Sequence, residues 1–248
     1  MSGNVAVQAM QTAGSDRTRE TQALHAGLLD LSQRAGHDMV GPLNQAGSLL
    51  ALFIKRYKGK IDSDADQLLE FLQSASVRME SVINGLRSYM EAVGKLPAYG
   101  DVDMDHVLAA ALDRLKNEIA ETGVLVTADP LPRAWADNTQ MLTVIRELIE
   151  NAIKFRNPDE PVRIHVSGSR AGELLAIRVK DNGIGIDPEQ NEAVFLPFKR
   201  LNGREYPGAG MGLATVKTIL EMQGGSIRVV PHSPEQTGST LEFTVRPA

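Results

Sequence analysis

A histidine followed directly by an aspartate, His37-Asp38, is the pair in this sequence whose side chains could transfer a chemical group. It lies within residues 24–53, where apolar residues recur at alternating spacings of four and three. Such spacing predicts a helix with one buried face. Because His37 is two positions from both Ala35 and Met39, about 200° around the helix, we expect it to face solvent. A neutral imidazole there is a nucleophile, and Asp38 is a candidate base for its proton.

An exposed histidine on its own usually has no chemical role, and that alternative stands until other residues support a function. Pro42 gives one local sign, since it cannot donate to the carbonyl of Asp38 and should bend the helix beside His37. The stronger signs lie in the second half of the chain.

Three segments of the second half carry residues suited to a nucleotide. The first is a predicted helix over residues 137–155, on which Glu147 and Asn151 are four residues apart and Lys154 follows on the same side. A carboxylate and an amide oxygen suit a hard cation such as Mg²⁺, and a lysine suits a phosphate. An ordinary amphipathic helix with a solvated polar face is the alternative.

The second segment, residues 181–186, follows a predicted strand. Its glycines, Gly183 and Gly185, allow the backbone to approach a flat ligand, and Asp181 could accept a hydrogen bond from an exocyclic amine such as that of adenine. A common turn has the same composition. The third segment, residues 208–214, opens a predicted helix as a phosphate cradle does, although it could also be a plain loop. Its candidate residues are Gly208, Gly210, Gly212 and Leu213.

A basic stretch with two aromatic residues lies between these glycine-rich segments. Phe195 and Phe198 are expected to anchor it, and Lys199, Arg200 and Arg204 follow. We interpret it as a mobile lid whose three cations reach phosphates. A basic surface loop is the alternative.

Composition narrows the classes of protein. The chain has 248 residues, a net charge of -5 and no cysteine, which argues against a dedicated nucleic-acid binder and excludes disulfides and Cys-based zinc sites. No apolar run reaches the length of a membrane span, and the N-terminus lacks a signal-peptide core. We therefore expect a cytoplasmic protein without a membrane span.

The first part of the chain predicts a helical hairpin. Residues 1–21 are small and polar and are expected to form a loose leader, and residues 22–94 form the hairpin, with a break at residues 58–60. The second helix has spacings of strictly four and three along its apolar seam: Leu68, Leu72, Ala75, Met79, Val82, Leu86, Tyr89 and Val93. Two hairpins paired as a four-helix bundle would cover this seam, which predicts a homodimer through residues 22–93. The alternative is that the hairpin packs on its own C-terminal region.

Residues 95–100 are expected to be a linker, and residues 101–248 a mixed α/β domain. Helices are predicted at residues 103–121, 137–155 and 212–223. Asp137 is the N-cap of the second, and Gln140 stands at the capping-box position. Strands are predicted at residues 124–127, 162–167, 174–180, 227–230 and 241–245. This order predicts an α/β sandwich with helices on one face of a mixed sheet.

In this order, the segments resemble a sensor histidine kinase over residues 22–246, most of all the phytochrome-type branch. The resemblance implies a dimerisation and phospho-acceptor hairpin followed by an ATP-binding domain of the gyrase, chaperone and histidine-kinase type. His37-Asp38 is similar to the phospho-acceptor box, and residues 147–155, ending at Phe155, to the N box. Residues 181–185, 195–198 and 208–212 are similar to the G1, F and G2 boxes.

The resemblance also implies what the residues do. Asn151 would hold Mg²⁺, Asp181 the adenine of ATP, and Lys154 and the Gly210 backbone its phosphates. His37 would receive the γ-phosphoryl group with Asp38 as base. The group would pass to an aspartate of a separate response-regulator receiver, and an upstream sensor domain or protein, not present in this chain, would supply the signal.

Two positions depart from the family pattern. Many members have Asn where this chain has Glu147, and the Glu-x-x-x-Asn arrangement is similar to gyrase-type and chaperone ATPases, in which the glutamate activates water. Many kinases carry Thr or Asn four residues after the histidine, where this chain has Gly41. Two alternatives remain open: a non-enzymatic phosphotransfer protein with a decayed ATP domain, and an ATP-hydrolysing machine that uses Glu147.

Overall fold

The structure is a computed structural model that describes residues 41–42, 44–60, 62–201, 206, 208–231 and 237–248. His37, Asp38 and Arg204 lie outside the described residues, as does the predicted leader. The chain divides into two compact units, Met1–Met90 and Glu91–Ala248. Among the described residues, no helix combines the length and the apolar character needed to cross a membrane.

The first unit contains a helical hairpin. Residues 44–57 are helical and form α1, the chain turns at Gly59 with a φ of +74°, and α2 spans Ser63–Val93, so that its last three residues belong to the second unit. Asp62 caps α2, because its Oδ1 accepts the amide N–H of Ala65 at 2.8 Å. The predicted break between the two helices is therefore confirmed.

The apolar seam of α2 is exposed on the single chain at four positions in its first two thirds, while Val93 at its end is buried. The exposed fraction is 62% at Leu68 and 56% at Leu72, and Met79 and Val82 are exposed as well. On α1, Phe53 is also exposed. A continuous apolar face of this length on a helix is typical of a surface that another helical element covers.

The second unit is a two-layer α/β sandwich. Its strands are β1 (Tyr99–Asp103), β2 (Leu125–Ala128), β3 (Arg133–Asp137), β4 (Arg163–Ala171), β5 (Leu174–Asp181), β6 (Ser226–Val229) and β7 (Thr240–Val245). Five of them form a mixed sheet in the order β2-β4-β5-β7-β6, in which β2 is parallel to β4 and the other neighbours are antiparallel. The β1 and β3 strands form a separate two-stranded sheet.

Helices cover one face of the five-stranded sheet. They are α3 (Met104–Arg114), α4 (Lys116–Thr122), α5 (Asn138–Lys154) and α6 (Gly212–Met222). The core between the layers is fully apolar where α5 buries Ile145 and Ile149, and the sheet contributes Ile164, Ile177 and Phe243. Each such side chain stabilises the fold by about 1.5–3 kcal/mol through burial. The predicted sandwich is confirmed.

The opposite face of the sheet is polar and has a buried carboxylate at its centre. The side chain of Glu242 is 6% exposed and accepts hydrogen bonds from Nε of Arg178 at 2.6 Å and from Nε of Arg228 at 2.7 Å. Burial by itself raises the pKa of the Glu242 carboxyl, but the hydrogen bonds and charges of the two arginines outweigh burial and lower this pKa.

Two sequence predictions of secondary structure are wrong. The helix expected over residues 103–121 is two helices, since it breaks at the buried Leu115 between α3 and α4. The linker expected over residues 95–100 ends early, because Tyr99 begins β1. Strands β1 and β3 were missed since Gly and Asp are poor strand formers. Their pairing is supported by Arg133, which bridges Asp101 and Asp103 at 2.9 and 3.0 Å.

Candidate functional site

Helix α5 brings two predicted site residues against the start of α6. Asp137 begins α5 as N-cap and accepts the amide N–H of Gln140 at 2.9 Å. Glu147 and Asn151 follow on one face. A Cβ on Gly212 would lie 2.5 Å from Oε2 of Glu147 and 3.7 Å from Nδ2 of Asn151. The first and third predicted segments therefore meet in space, and a side chain at position 212 would require the Glu147 carboxylate to shift.

The carboxylate of Glu147 is largely buried and lies beside the cation of Arg146. Its Oε1 accepts a hydrogen bond from Arg146 at 2.6 Å, and Arg146 also pairs with Glu150 at 3.2 Å. Burial raises the pKa of the Glu147 carboxyl, while the charge of Arg146 acts in the opposite direction. Oε1 is engaged by Arg146, and Oε2 is directed toward Gly212 at the N-terminal end of α6.

The side-chain amide of Asn151 is the orphan polar group of this site. Its Nδ2 is buried and has no hydrogen-bond partner within the described part of the chain. Buried polar groups normally have a hydrogen-bond partner, so this group is suited to bind a ligand. If the amide is flipped, its oxygen takes the position of Nδ2 and can coordinate a cation. Together with Glu147, it offers the two hard oxygen donors that suit Mg²⁺.

The donor set fits Mg²⁺ bound together with phosphates better than a cation held by protein alone. No group of three or more His, Asp or Glu among the described residues is arranged to hold a metal ion. Mg²⁺ is commonly held by one or two protein oxygens with substrate phosphates and waters completing the shell. Asn151 and Glu147 match that pattern.

Lys154 lies at the end of α5 beside two aromatic rings. Its Nζ is 4.6 Å from the ring centroid of Phe155, whose ring lies 4.9 Å from that of Tyr206. A Cβ on Gly208 would lie 3.0 Å from the same Nζ. Burial, and after it the charge of Arg200, lower the pKa of the Lys154 ammonium. A cation that is partly desolvated and faces a glycine-rich backbone is suited to a phosphate.

Asp181 is fixed by a residue that the sequence interpretation missed. Its Oδ2 accepts the hydroxyl of Ser239 at 2.5 Å, and its Oδ1 accepts the amide N–H of Gly183 at 2.8 Å and of Ser239 at 3.1 Å. A Cβ on Gly183 would collide with the carbonyl oxygen of Phe155. The signal for Ser239 was its place in Gly238-Ser239 directly before a predicted strand, but nothing local connects it with Asp181.

The loops that carry Gly185 and Gly238 lie against each other. Their φ values are +79° and +86°, and a Cβ on Gly185 would be 3.1 Å from the carbonyl oxygen of Gly238. A Cβ on Gly238 would collide with the carbonyl oxygen of Asp181. Side chains are excluded from both positions, because the two loops pack backbone against backbone.

The predicted lid is only partly anchored. Phe195 is buried as expected, but Phe198 is 47% exposed and has a φ of +61°, so its predicted role as a second anchor is wrong. Gly210, which follows the lid in the chain, packs against it, since a Cβ on Gly210 would lie 2.6 Å from the carbonyl oxygen of Lys199. Arg200 donates to the carbonyl oxygen of Tyr206 at 2.5 Å. The close approach at Gly210, with a φ of +72°, excludes a side chain.

The structure thus groups the predicted residues in two sets. Glu147, Asn151 and Gly212 form one, and Lys154 with Gly208 adjoins it through α5. The second set is Asp181 with Gly183, Gly185 and the added Ser239. Leu213 is the second residue of α6. The predicted roles of His37, Asp38 and Arg204 stay predictions, since these residues lie outside the described part of the chain.

Most of the second unit matches a known protein family. Residues 136–248 match the family described as histidine kinase-, DNA gyrase B- and HSP90-like ATPases. Cyanobacterial phytochrome A of Nostoc sp. is 38% identical over 212 residues, which are 85% of this chain and 27% of that protein. The sensor-like histidine kinase SenX3 of Mycobacterium tuberculosis is 36% identical over 163 residues, 64% of this chain and 39% of that protein. The chain spans less than half the length of these curated relatives.

Solved structures show the same fold. Full-length ShkA in complex with AMPPNP superposes with a TM-score of 0.62 at 20% identity, over 88% of this chain and 46% of that chain. The mycobacterial sensor histidine kinase MprB has a TM-score of 0.52 at 26% identity, over 61% of this chain and 100% of that chain. At such identity the first of these likenesses concerns the fold alone.

Proposed function

Since the chain belongs to the sensor histidine kinases, we propose that it transfers the γ-phosphoryl group of ATP to His37. The group then passes to an aspartate of a response-regulator receiver on a separate protein. The observation that carries the proposal is the convergence of Glu147 and the orphan amide of Asn151 on the glycine that opens α6.

Asp181 recognises the adenine ring in this proposal. Ser239 and the backbone amide of Gly183 hold its carboxylate in one orientation, and a fixed carboxylate acceptor suits the exocyclic amine of adenine. The match of residues 136–248 to a family of ATPases supports ATP as the nucleotide class.

The phosphates lie between α5 and the start of α6. The first amide N–H groups of α6 have no partners within the helix and carry its positive dipole end toward an anion. Lys154 adds a cation from the side. Mg²⁺, when bound, would neutralise charge that develops on the phosphates, and Asn151 and Glu147 are the residues that would hold it. Arg200 and Lys199 extend the positive field along the lid.

His37 acts as the nucleophile. One imidazole nitrogen forms a bond to the γ-phosphorus as the bond from that phosphorus to the β–γ bridging oxygen breaks, and ADP leaves with the electron pair. The second ring nitrogen then gives its proton to Asp38. The role of both residues rests on the sequence pattern.

The hairpin makes the protein a homodimer in this proposal. The seam of α2 is apolar and exposes Leu68, Leu72, Met79 and Val82, and a second copy of the hairpin presents the same seam. Two copies related by a two-fold axis bury both seams as a four-helix bundle.

A second candidate function is hydrolysis of ATP independent of His37. It is favoured by one observation, the burial of Glu147 with Oε2 directed toward the start of α6, where it could activate a water. Phosphate release by a His37→Gln protein at the parental rate would establish this function in place of the kinase.

The decisive experiment is incubation of the chain with Mg²⁺ and γ-labelled ATP. We expect label on the protein that is stable in base and labile in acid, as a phosphohistidine is. The His37→Gln variant should carry no label while retaining ATP affinity. Label that persists in this variant would disprove the assignment of His37.

A further inference from the structure

Two buried glutamines, Gln140 and Gln223, join three segments of the second unit. Nε2 of Gln223 donates to Oε1 of Gln140 at 2.7 Å, and Nε2 of Gln140 donates to the carbonyl oxygens of Ala92 and Lys95 at 3.3 Å each. Oε1 of Gln223 accepts the amide N–H of Asp137 at 3.0 Å. The capping box predicted from the sequence would have the side chain of Gln140 accept the backbone N–H of Asp137. That prediction is wrong, because the side chain of Gln223 accepts this N–H instead.

Water cannot easily replace these bonds. Gln140 is 6% and Gln223 3% exposed, so losing one partner leaves a buried donor or acceptor unsatisfied. The bonding also fixes both amide orientations, since Nε2 of Gln140 is the atom that can donate to two carbonyl oxygens. We call the pair Gln140–Gln223 the amide clasp.

Residues 92–99, the segment by which the chain enters the second unit, are hydrogen-bonded at the start of α5 and at the end of α6. Oδ2 of Asp137, the N-cap of α5, accepts the amide N–H of Ala98 at 2.7 Å. At the end of α6, the carbonyl oxygen of Met222 accepts the hydroxyl of Tyr99 at 3.3 Å. The amide clasp is the buried centre of this set of contacts.

The same two helices hold the candidate nucleotide site at their other ends. Helices α5 and α6 are antiparallel, since Gln140 near the start of α5 meets Gln223 after the end of α6, and Glu147 meets Gly212 where α6 begins. The length of α6 separates the two meeting points, about 16 Å for its 11 residues at 1.5 Å each. Close-packed helices move as rigid bodies, so a displacement at the clasp reaches the site.

We propose that Gln140 and Gln223 are positioning residues, through which the segment 92–99 sets the spacing of α5 and α6 and thereby the affinity of the site for nucleotide. The inference rests on the proposed nucleotide site. It assigns to two residues that touch no substrate a role in binding it, and it makes the entry segment the place from which that affinity is adjusted.

The test is calorimetric titration of Mg²⁺-ATP into the full chain and its variants. Gln140→Met and Gln223→Met keep side-chain volume and remove the bonds. Each should weaken ATP binding by about 5- to 30-fold, the range of measured couplings between sites. The double variant should lose about as much as either single variant, because the pair acts as one unit.

Glu242→Gln is the matched control, since it removes the charge and one of the two acceptor oxygens of an equally buried side chain on the opposite face of the sheet. It should lower the thermal stability by a similar amount and leave ATP affinity unchanged. If the clasp variants lower stability as the control does and bind ATP with parental affinity, the glutamines are only structural and the proposal is overturned.

A second variant covers the case in which the clasp variants do not fold. Ala98→Pro removes one backbone donor from an exposed segment and breaks the bond to Asp137. It should weaken ATP binding about two- to fivefold, in the lower part of the range of such couplings. Parental affinity in Ala98→Pro contradicts the proposal. If the parent chain itself does not bind ATP, the proposed function fails, which is a different result from a parent that binds and variants that bind equally well.

Discussion

The hydroxyl of Ser239 donates a 2.5 Å hydrogen bond to Oδ2 of Asp181, and the two residues are 58 positions apart in the chain. The bond joins the end of β5 to the start of β7, and the backbone N–H of Ser239 holds the other carboxylate oxygen at 3.1 Å. The orientation of the acceptor proposed for adenine is therefore set by a residue outside the glycine-rich segment that contains it.

Ser239→Ala should weaken ATP binding by about tenfold, because the carboxylate of Asp181 loses its shortest hydrogen bond, worth about 1.5–3 kcal/mol when one partner is charged. Ser226→Ala is the control, since this hydroxyl pairs with that of Thr244 at 3.0 Å away from the site. Calorimetric titration measures both. Equal affinity in the two variants would remove Ser239 from the site.

Gly212→Ala should slow labelling of the protein by ATP about 10²-fold. A Cβ at this position would lie 2.5 Å from Oε2 of Glu147, so the carboxylate or the start of α6 must shift, and misplacement by about 1 Å can cost 10²-fold in rate. Gly100→Ala is the control, since a Cβ there meets nothing within 4 Å. A Gly212→Ala protein labelled at the parental rate would show that this contact is not needed.

Glu242→Gln should lower the free energy of unfolding at pH 7 by about 1–3 kcal/mol, because Arg178 and Arg228 lose a charged acceptor. The pKa of Glu242 is lowered in the folded state from an ordinary value of 4.5. Its contribution is thus fully present above pH 4.5 and is lost as the pH falls through the lower folded pKa. Urea unfolding of parent and variant should converge in acid; a constant difference would refute this account.

Leu72→Asp should convert the proposed homodimer to monomers, since a charge at the centre of the bundle would be buried without a partner. Leu72 is 56% exposed on the single chain, and Leu125 on β2 is similarly exposed, at 59%. Leu125→Asp, which lies outside the seam, should remain dimeric. Light scattering gives both masses, and a dimeric Leu72→Asp protein would exclude the seam as the interface.

Gly41 should make this protein a weak phosphatase or none toward a phosphorylated receiver. The residue is four positions after His37 and lacks the hydroxyl or amide that could orient a hydrolytic water. A Cβ there meets nothing within 4 Å, so Gly41→Asn can be made without steric cost, and it should accelerate decay of the phosphorylated receiver. Marked acceleration by the parent chain would contradict the prediction.

The sequence by itself determined what depends on local repeats and local hydrogen bonds. The spacing of Glu147 and Asn151 placed them on one helix face, because helical geometry fixes residues four apart. Asp137 was identifiable as an N-cap since its partner amide is three residues away. The heptad spacing of α2 likewise predicted an apolar seam, of which Leu68, Leu72, Met79 and Val82 are exposed. The sandwich followed from the order of helices and strands.

Only the tertiary structure decided which distant groups meet. Ser239 reaches Asp181, and the side chain of Gln223 accepts the backbone N–H of Asp137 in place of the Gln140 side chain, because packing of the sheet and helices brings these positions together. The same holds for the paired β1 and β3 strands and for the exposure of Phe198, which aromatic character alone predicted to be buried. The periodicity of the sequence does not predict such contacts, since a hydrogen bond between distant residues, or the burial of a side chain, depends on how the whole chain folds.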